Sequence, residues 1–131
     1  VARKNALKFK LSDRIKFLSQ HFEDIHNKKF DLIVSNPPYV TRNGIKNLSD
    51  DIKNFEPRMA LDGGNDGLDL IKKVIYKTKE ILKINGTLAL ELGNKQFRKV
   101  SRILINNNFK IEFRIKDYRD NIRCVIAKKL K

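Results

Sequence analysis

The chain has one cysteine, no tryptophan, three prolines and six glycines in 131 residues. A single cysteine, Cys124, excludes an internal disulfide framework and a zinc site built from cysteines. No apolar run approaches the roughly 20 residues that a membrane-spanning helix needs, and no charged segment followed by an apolar one opens the chain. We therefore predict a soluble, cytoplasmic protein without a membrane partner, and the two histidines show no spacing that indicates a metal.

Positive charge is the main excess, because 29 Lys and Arg residues outnumber 15 Asp and Glu residues and give a net charge of +14. Such a chain is a candidate for binding nucleic acid, whose phosphates attract cations. The charge is uneven, however, since residues 1–29 carry +5, residues 30–70 carry −3 and residues 71–131 carry +12. Nucleic acid is therefore a possible partner but not the favoured one, since the central, most loop-like segment is acidic.

The pattern of apolar residues predicts an α/β fold with a mostly parallel sheet and a C-terminal antiparallel hairpin. The run Phe30–Ser35 has little polar alternation, which is typical of a central strand covered on both faces. Residues 109–116 alternate strictly and predict a strand with one solvated face. The remaining predicted elements are helices over residues 1–9, 48–55, 68–86 and 96–106 and strands over residues 15–18, 87–92 and 122–127.

The segment Asn36-Pro37-Pro38-Tyr39 directly follows the predicted strand Phe30–Ser35, where ligands bind in open α/β sheets. Two prolines end the strand because they lack N–H donors. The Asn36 side-chain carbonyl and the Pro37 backbone carbonyl could together hold both hydrogens of a poorly nucleophilic NH2 group. Tyr39 could pack its ring against the planar target group. The alternative is a turn that merely ends the strand and exposes a tyrosine.

Asn-Pro-Pro-Tyr after a buried strand resembles motif IV of amino-methyltransferases that use S-adenosylmethionine and act on DNA adenine, RNA guanine or protein glutamine. Downstream motifs narrow this resemblance to the HemK/PrmC family of peptide-chain release factor glutamine N5-methyltransferases. These motifs are Phe55-Glu56-Pro57-Arg58-Met59-Ala60-Leu61, Gly63-Gly64-Asn65-Asp66-Gly67-Leu68, Leu90-Glu91-Leu92-Gly93 followed by Gln96, and Asp117 followed by Arg123.

The resemblance implies methyl transfer from S-adenosylmethionine to the side-chain amide nitrogen of the glutamine in the Gly-Gly-Gln motif of class 1 release factors. The residues themselves indicate no metal, and for Arg58 and Arg123 we favour a salt-bridged scaffold role over contact with the substrate. The implied catalytic residues are Asn36, Pro37 and Tyr39. The implied substrate-binding residues are Asn36, Pro37, Pro38 and Tyr39. Glu56 and Glu91 are further substrate-binding candidates, with a turn cap beside Pro57 and a solvated strand-end carboxylate as the respective alternatives. The implied cofactor-binding residues are Asn36, Gln20 and His21.

The family's cofactor site begins with a glycine-rich turn, but the chain has no glycine before Gly44. We therefore expect residues 1–131 to form the C-terminal portion of one Rossmann-like class I methyltransferase domain. The first two strands and an N-terminal helical domain would be missing, and the strand Phe30–Ser35 would have an unpaired edge. The missing half would be a required partner, and this fragment alone would be inactive.

Two other functions stay open. The first is amino-methylation of nucleic acid, either rRNA, tRNA or DNA, after the target base is flipped out. The second is a non-catalytic basic remnant or RNA-associated module.

Overall fold

The computed structural model describes residues 1–131 as five α-helices around a four-stranded sheet. The strands are β1 (Phe30–Ser35), β2 (Leu82–Glu91), β3 (Phe109–Lys116) and β4 (Ile122–Lys129). The helices are α1 (Ala2–Lys8), α2 (Arg42–Ile45), α3 (Asp50–Phe55), α4 (Asp69–Ile81) and α5 (Phe97–Asn106). Short 3-10 turns cover Ser12–Arg14, Phe22–Asp24 and Arg58–Ala60.

The strands lie in the order β1-β2-β4-β3. β1 pairs with β2 in parallel, whereas β4 is antiparallel to both β2 and β3. The predicted α/β class and its terminal hairpin are confirmed, and the sheet within this chain is mixed. β1 is an edge strand, as expected.

Two local predictions are wrong. Residues 15–18 form no strand, because an apolar run becomes a strand only where a neighbouring strand pairs with its backbone, and none does so here. The helix predicted to continue to Gly86 ends at Ile81, and β2 begins at once with Leu82. Phe30 of β1 pairs with Leu82, and the register then shifts before Leu32 pairs with Thr87.

Helices α4 and α5 cover one face of the sheet and form the hydrophobic core with it. Their apolar residues recur at helical spacing, which places them on a single stripe that faces the strands. The core residues on the helices include Ile71, Ile75, Val100 and Leu104, and those on the strands include Leu88, Leu90, Val125 and Ala127, all with less than 1% exposure.

The opposite face of the sheet is apolar and bare. The prediction that β1 is covered on both faces is wrong for this chain, since Leu32 is 56% exposed and Val34 is 71% exposed. Paired residues point to the same face of a sheet, so the pairing of Val34 with Ala89, and of Ala89 with Ile126, continues this face across three strands. No helix of the chain covers it.

A β-bulge extends the bare face to β3. Ile111 pairs with Ala127 of the core, but two residues later Phe113 pairs with Ile126, which lies on the other face. Glu112 is therefore the extra residue of the bulge, and it reverses the alternation that the sequence predicted for this strand. Phe113 and Ile115 consequently lie on the bare face and are 64% and 50% exposed.

Alanine substitution distinguishes the two faces of the sheet. Leu88→Ala should lower the free energy of unfolding by about 2–5 kcal/mol, because it opens a cavity in the core. Leu32→Ala should change it by about 0.5 kcal/mol or less, because its side chain is mostly in solvent. Urea unfolding of both variants at low protein concentration measures the difference. Equal losses would show that the bare face is covered in solution.

Candidate active site

The candidate site lies where the carboxyl ends of β1 and β2 meet at one edge of the sheet. Asn36, directly after β1, and Glu91, the last residue of β2, line a common cleft of about 350 Å³ together with Arg123 and Cys124. Asn36 is exposed, and its side chain has no hydrogen-bond partner within the chain. Pro37 is buried, and no backbone N–H of the chain donates to its carbonyl. Two adjacent acceptors therefore have no hydrogen-bond partner within the chain; Asn36 lines this cleft and Pro37 lines the neighbouring cavity along β1.

Tyr39 is held at its hydroxyl by a charged pair. Its hydroxyl donates to Glu91 Oε1 at 3.2 Å and accepts from an Arg123 terminal nitrogen at 2.7 Å. The same nitrogen lies 3.3 Å from Glu91 Oε1, and the guanidinium lies over the Tyr39 ring, 5.2 Å from its centroid. Arg123 thus lies over one face of the Tyr39 ring and fixes its hydroxyl. The opposite face is the one against which a planar group could pack.

Three glycines from two other segments pack against Tyr39, two of them against its backbone and one against its ring. A Cβ on Gly63 would lie 2.8 Å from the Pro38 carbonyl oxygen and from the Tyr39 Cα. A Cβ on Gly93, after β2, would lie 2.9 Å from the Tyr39 ring. Gly67 has a φ of +73°, and a Cβ there would collide with the Tyr39 carbonyl oxygen. Only glycine allows this approach at all three positions.

The long loop after Tyr39 returns to the site. Val40 and Asp62 form an isolated parallel bridge, in which the Val40 N–H donates to the Leu61 carbonyl and the Gly63 N–H donates to the Val40 carbonyl. The Asp62 carboxylate accepts from the Gly64 N–H at 2.8 Å and lies 3.5 Å from Arg42. The loop therefore forms a third wall beside the strand ends.

The structure separates Glu56 from the other predicted substrate-binding residues. Glu56 is exposed just after α3 and lines a different, smaller cleft with Arg42, Lys53 and Arg58. By contrast, Asn36, Pro37, Pro38, Tyr39 and Glu91 come together. Arg123 forms the predicted salt bridge with Glu91, whereas Arg58 is exposed and has no ion pair.

His21 and Pro37 line a cavity of about 850 Å³ that runs along the free edge of β1, where both Ile33 and Val34 border it. Gln20 is exposed and does not line this cavity. Its wall is largely apolar, and the part beside His21 and Phe22 fits the flat adenine end of S-adenosylmethionine. No group of three or more His, Cys, Asp or Glu side chains could hold a metal ion.

The Asp117 carboxylate, in the turn between β3 and β4, lies near Arg123 in the same cleft. The backbone N–H groups of Asn121 and then of Arg119 donate to the Asp117 carboxylate and, with nearby Arg123, hold the pKa of Asp117 below its usual value. The Asp117 carboxylate is therefore ionised at neutral pH and accepts both N–H groups of the turn. Cys124 is half-buried, and desolvation raises the pKa of its thiol, which disfavours a role as a nucleophile.

Gln96 contacts Tyr39, and the sequence assigned this residue no role in the site. It was part of a matched motif, but its three hydrogen bonds to Tyr39, Gly67 and Gly93 depend on the folded loop. The sequence did contain one signal for this contact, because Gly63, Gly67 and Gly93 lie in the motifs that flank the site.

The fold and the strand-end site define a methylase. The family described as Eco57I restriction-modification methylase matches residues 2–122, and the chain belongs to this family. A solved ribosomal protein L11 methylase from Lactobacillus delbrueckii subsp. bulgaricus shares the fold, with a TM-score of 0.64 at 19% identity over 98% of this chain and 51% of that one.

Curated relatives confirm the resemblance to the release factor glutamine methyltransferases. The enzyme of that name from Clostridium botulinum is 43% identical over 97% of this chain and 46% of its own length. A bifunctional methyltransferase of Rickettsia felis is 39% identical over 96% of this chain and 24% of its own. A ribosomal protein uL3 glutamine methyltransferase of Francisella tularensis is 43% identical over 74% of this chain and 31% of its own. The chain spans less than half the length of each of these three relatives.

No helix is long and apolar enough to cross a membrane.

A double-mutant cycle tests the Tyr39–Arg123 contact. Tyr39→Phe and Arg123→Met should together cost less than the sum of the two single losses in unfolding free energy, with a coupling of about 1 kcal/mol, because either change breaks the same hydrogen bond. Urea unfolding gives the four free energies. Tyr76→Phe, on the exposed side of α4, is the control and should couple to Arg123→Met by less than about 0.5 kcal/mol. Equal coupling of both tyrosines would contradict the assignment.

Proposed function

We propose that this chain supplies the substrate-binding part of an S-adenosylmethionine-dependent protein-glutamine N-methyltransferase. Its substrate is the glutamine of the Gly-Gly-Gln motif in class 1 release factors. The observation that carries this proposal is the pair of free acceptors, the Asn36 amide oxygen and the Pro37 carbonyl, beside a tyrosine held by Arg123 and Glu91. A cytoplasmic location follows from such a substrate.

Each catalytic residue has a role that its place in the structure supports. Asn36 and Pro37 accept hydrogen bonds from the two N–H bonds of the glutamine amide, which orients the nitrogen and stabilises the positive charge that develops on it. Tyr39 packs against the planar amide, and its fixed hydroxyl prevents the ring from turning away. No general base is required at the start, because the proton can leave the nitrogen for water after methylation. Glu91 lies at the edge of the same cleft.

S-Adenosylmethionine, when bound, supplies the electrophilic methyl group. His21 and Phe22, which line the cavity along β1, would contact its adenine. Asn36, which lines the cleft with Glu91, would contact both the cofactor and the substrate. Gln20 would reach this cofactor only after a change of its exposed loop. Glu56 would likewise contact the substrate only if the release factor extends along the loop to α3.

We also propose that residues 1–131 are the C-terminal portion of a single methyltransferase domain. The bare apolar face and the free edge of β1 support this, since a sheet covered on one side leaves Leu32, Val34, Phe113 and Ile115 in water. The occupant is the remaining half of the same domain, including the glycine-rich cofactor turn and the first two strands.

Cofactor affinity tests this division of the domain. Calorimetry should detect no micromolar binding of S-adenosylmethionine to residues 1–131 alone, because the half that holds the ribose is missing. Addition of that half as a second polypeptide should restore binding. Val34→Lys should block the restoration by placing a charge in the new interface, whereas Tyr118→Lys, on the exposed hairpin turn, should not. Micromolar binding by the chain alone would refute the proposal.

A second candidate function has its own support. The matching family is described as a restriction-modification methylase, and the chain carries a net charge of +14, so an amino group of DNA, rRNA or tRNA is the alternative target. The curated relatives named for glutamine favour the protein substrate. A non-catalytic remnant is disfavoured, because the Asn36–Tyr39 geometry is intact.

Transfer of radiolabelled methyl groups separates these functions. The chain together with the rest of its domain should label a release factor with an intact Gly-Gly-Gln motif, and replacement of that glutamine should abolish labelling. Asn36→Ala should reduce the rate by about 10²–10³-fold, by analogy with the loss of one hydrogen bond that stabilises a transition state. Asn106→Ala, an exposed amide on α5, is the control and should have no effect.

Labelling that survives the glutamine replacement would overturn the assignment. Labelling of tRNA or rRNA instead would establish the nucleic-acid alternative, and labelling of ribosomal protein uL3 would keep the chemistry but change the substrate.

A further inference from the structure

We propose that Gln96 is the positioning residue of this site, because its side-chain amide holds the Tyr39 backbone against the glycine turn and the end of β2. Gln96 does not contact the substrate. It acts through Tyr39. The Tyr39 ring and the carbonyls that precede it are the groups that contact the substrate. The catalytic consequence of this inference rests on the proposed function, whereas the positioning itself does not.

The hydrogen bonds of Gln96 join three segments that are distant in sequence. Its Nε2 donates to the Tyr39 carbonyl and to the Gly67 carbonyl, each at 3.0 Å. Its Oε1 accepts from the Gly93 N–H at 2.8 Å. Both N–H bonds of the amide and its oxygen are therefore used, so the side chain has one well-defined orientation.

The surrounding backbone leaves space for this amide. A Cβ on Gly67 would lie 2.6 Å from Gln96 Nε2, and a Cβ on Gly93 would lie 2.8 Å from Gln96 Oε1. These are the same two glycines that approach Tyr39. The glycines and the amide thus form one packed unit, in which each glycine makes room for both Gln96 and Tyr39.

The chemistry of the three partners requires an amide. Two of them are carbonyls that need donors, and the third is an N–H that needs an acceptor. A carboxylate has the same shape but would direct lone pairs at the Tyr39 and Gly67 carbonyls. Asparagine offers the same groups on a shorter stem and would not span the three partners.

Gln96 and Arg123 hold opposite ends of the same residue. Arg123 fixes the hydroxyl of Tyr39 through a contact that involves charge, whereas Gln96 fixes its carbonyl through neutral hydrogen bonds. Because Asn36, Pro37 and Pro38 precede Tyr39 directly and the prolines restrict the chain, an anchor at the Tyr39 carbonyl also limits the positions of the two free acceptors.

Gln96→Glu tests the proposal, since it keeps the shape of the side chain, removes both donors and adds a negative charge. The charged groups that face this position are Asp66, Lys95, Lys99 and Arg123, which line the same cleft. The two carbonyls disfavour the ionised carboxyl, whereas the Gly93 N–H and the three cations favour it, so the carboxyl is ionised at pH 8 and its protonated fraction grows as the pH falls towards 5. Once protonated, it can donate to one carbonyl and restore part of the anchor.

Two readouts are expected to follow that titration. In residues 1–131, the NMR signals of the Tyr39 ring should shift at pH 8 in Gln96→Glu and return towards the parent positions near pH 5. In the complete domain, the variant should lose at least about tenfold in kcat at pH 8, recover part of the loss relative to the parent near pH 5, and change little in KM for the cofactor.

Asn94→Asp is the matched control, because it adds the same charge in the same cleft and leaves the three hydrogen bonds of Gln96 in place. It should show neither the Tyr39 shift nor the recovery at low pH. Unchanged Tyr39 signals in Gln96→Glu, or equal effects in both variants, would overturn the inference. Shifted Tyr39 signals in a domain that methylates no glutamine would instead reject the proposed function and leave the positioning role standing.

Discussion

The close approach of Tyr39 to three glycines is the constraint on which the rest of the site depends: Gly63 and Gly67 meet its backbone and Gly93 meets its ring. Two prolines direct the chain away from β1, and the next residue must pass between a glycine turn and the end of a neighbouring strand. Side chains at the three glycines would push this segment outwards by more than van der Waals contact allows. The loop over residues 40–67 can return to the strand ends only because this approach is possible, and Gln96 then joins the three segments.

The resulting site is rigid at Tyr39, the residue that would orient a planar amide. Methyl transfer to an amide nitrogen needs such rigidity. Preorganised acceptors stabilise developing charge without the cost of reorganisation during the reaction. Tyr39 has no freedom at its hydroxyl or its carbonyl, while the Asn36 amide is free. The net charge of the chain contributes little to this arrangement, because the local charges of Glu91 and Arg123 compensate each other. The positive excess lies mainly outside the acidic central segment.

The core of this chain lies on one side of its sheet. Only 23 of 131 residues are buried, and the main cluster lies beneath α4 and α5. A small chain with a one-sided core buries a modest part of its apolar surface, which makes it marginally stable by itself. The bulge at Glu112 is informative, because it moves Phe113 and Ile115 to the uncovered face. A continuous apolar surface across the sheet is therefore exposed, and the site borders that surface.

The sequence by itself determined the features that local chemistry controls. Two prolines had to end β1 beside the acceptors of Asn36 and Pro37, and helical spacing placed one stripe of α4 and α5 in the core. Alternation predicted the terminal hairpin. Tertiary structure decided what depends on distant partners. Residues 15–18 have no neighbouring strand to pair with, and Glu56 lies away from Tyr39. The bulge at Glu112 moves the second half of β3 to the other face of the sheet. Tertiary structure also brought Gln96 and Arg123 to Tyr39, because hydrogen bonds across 57 and 84 residues of chain leave no period in the sequence.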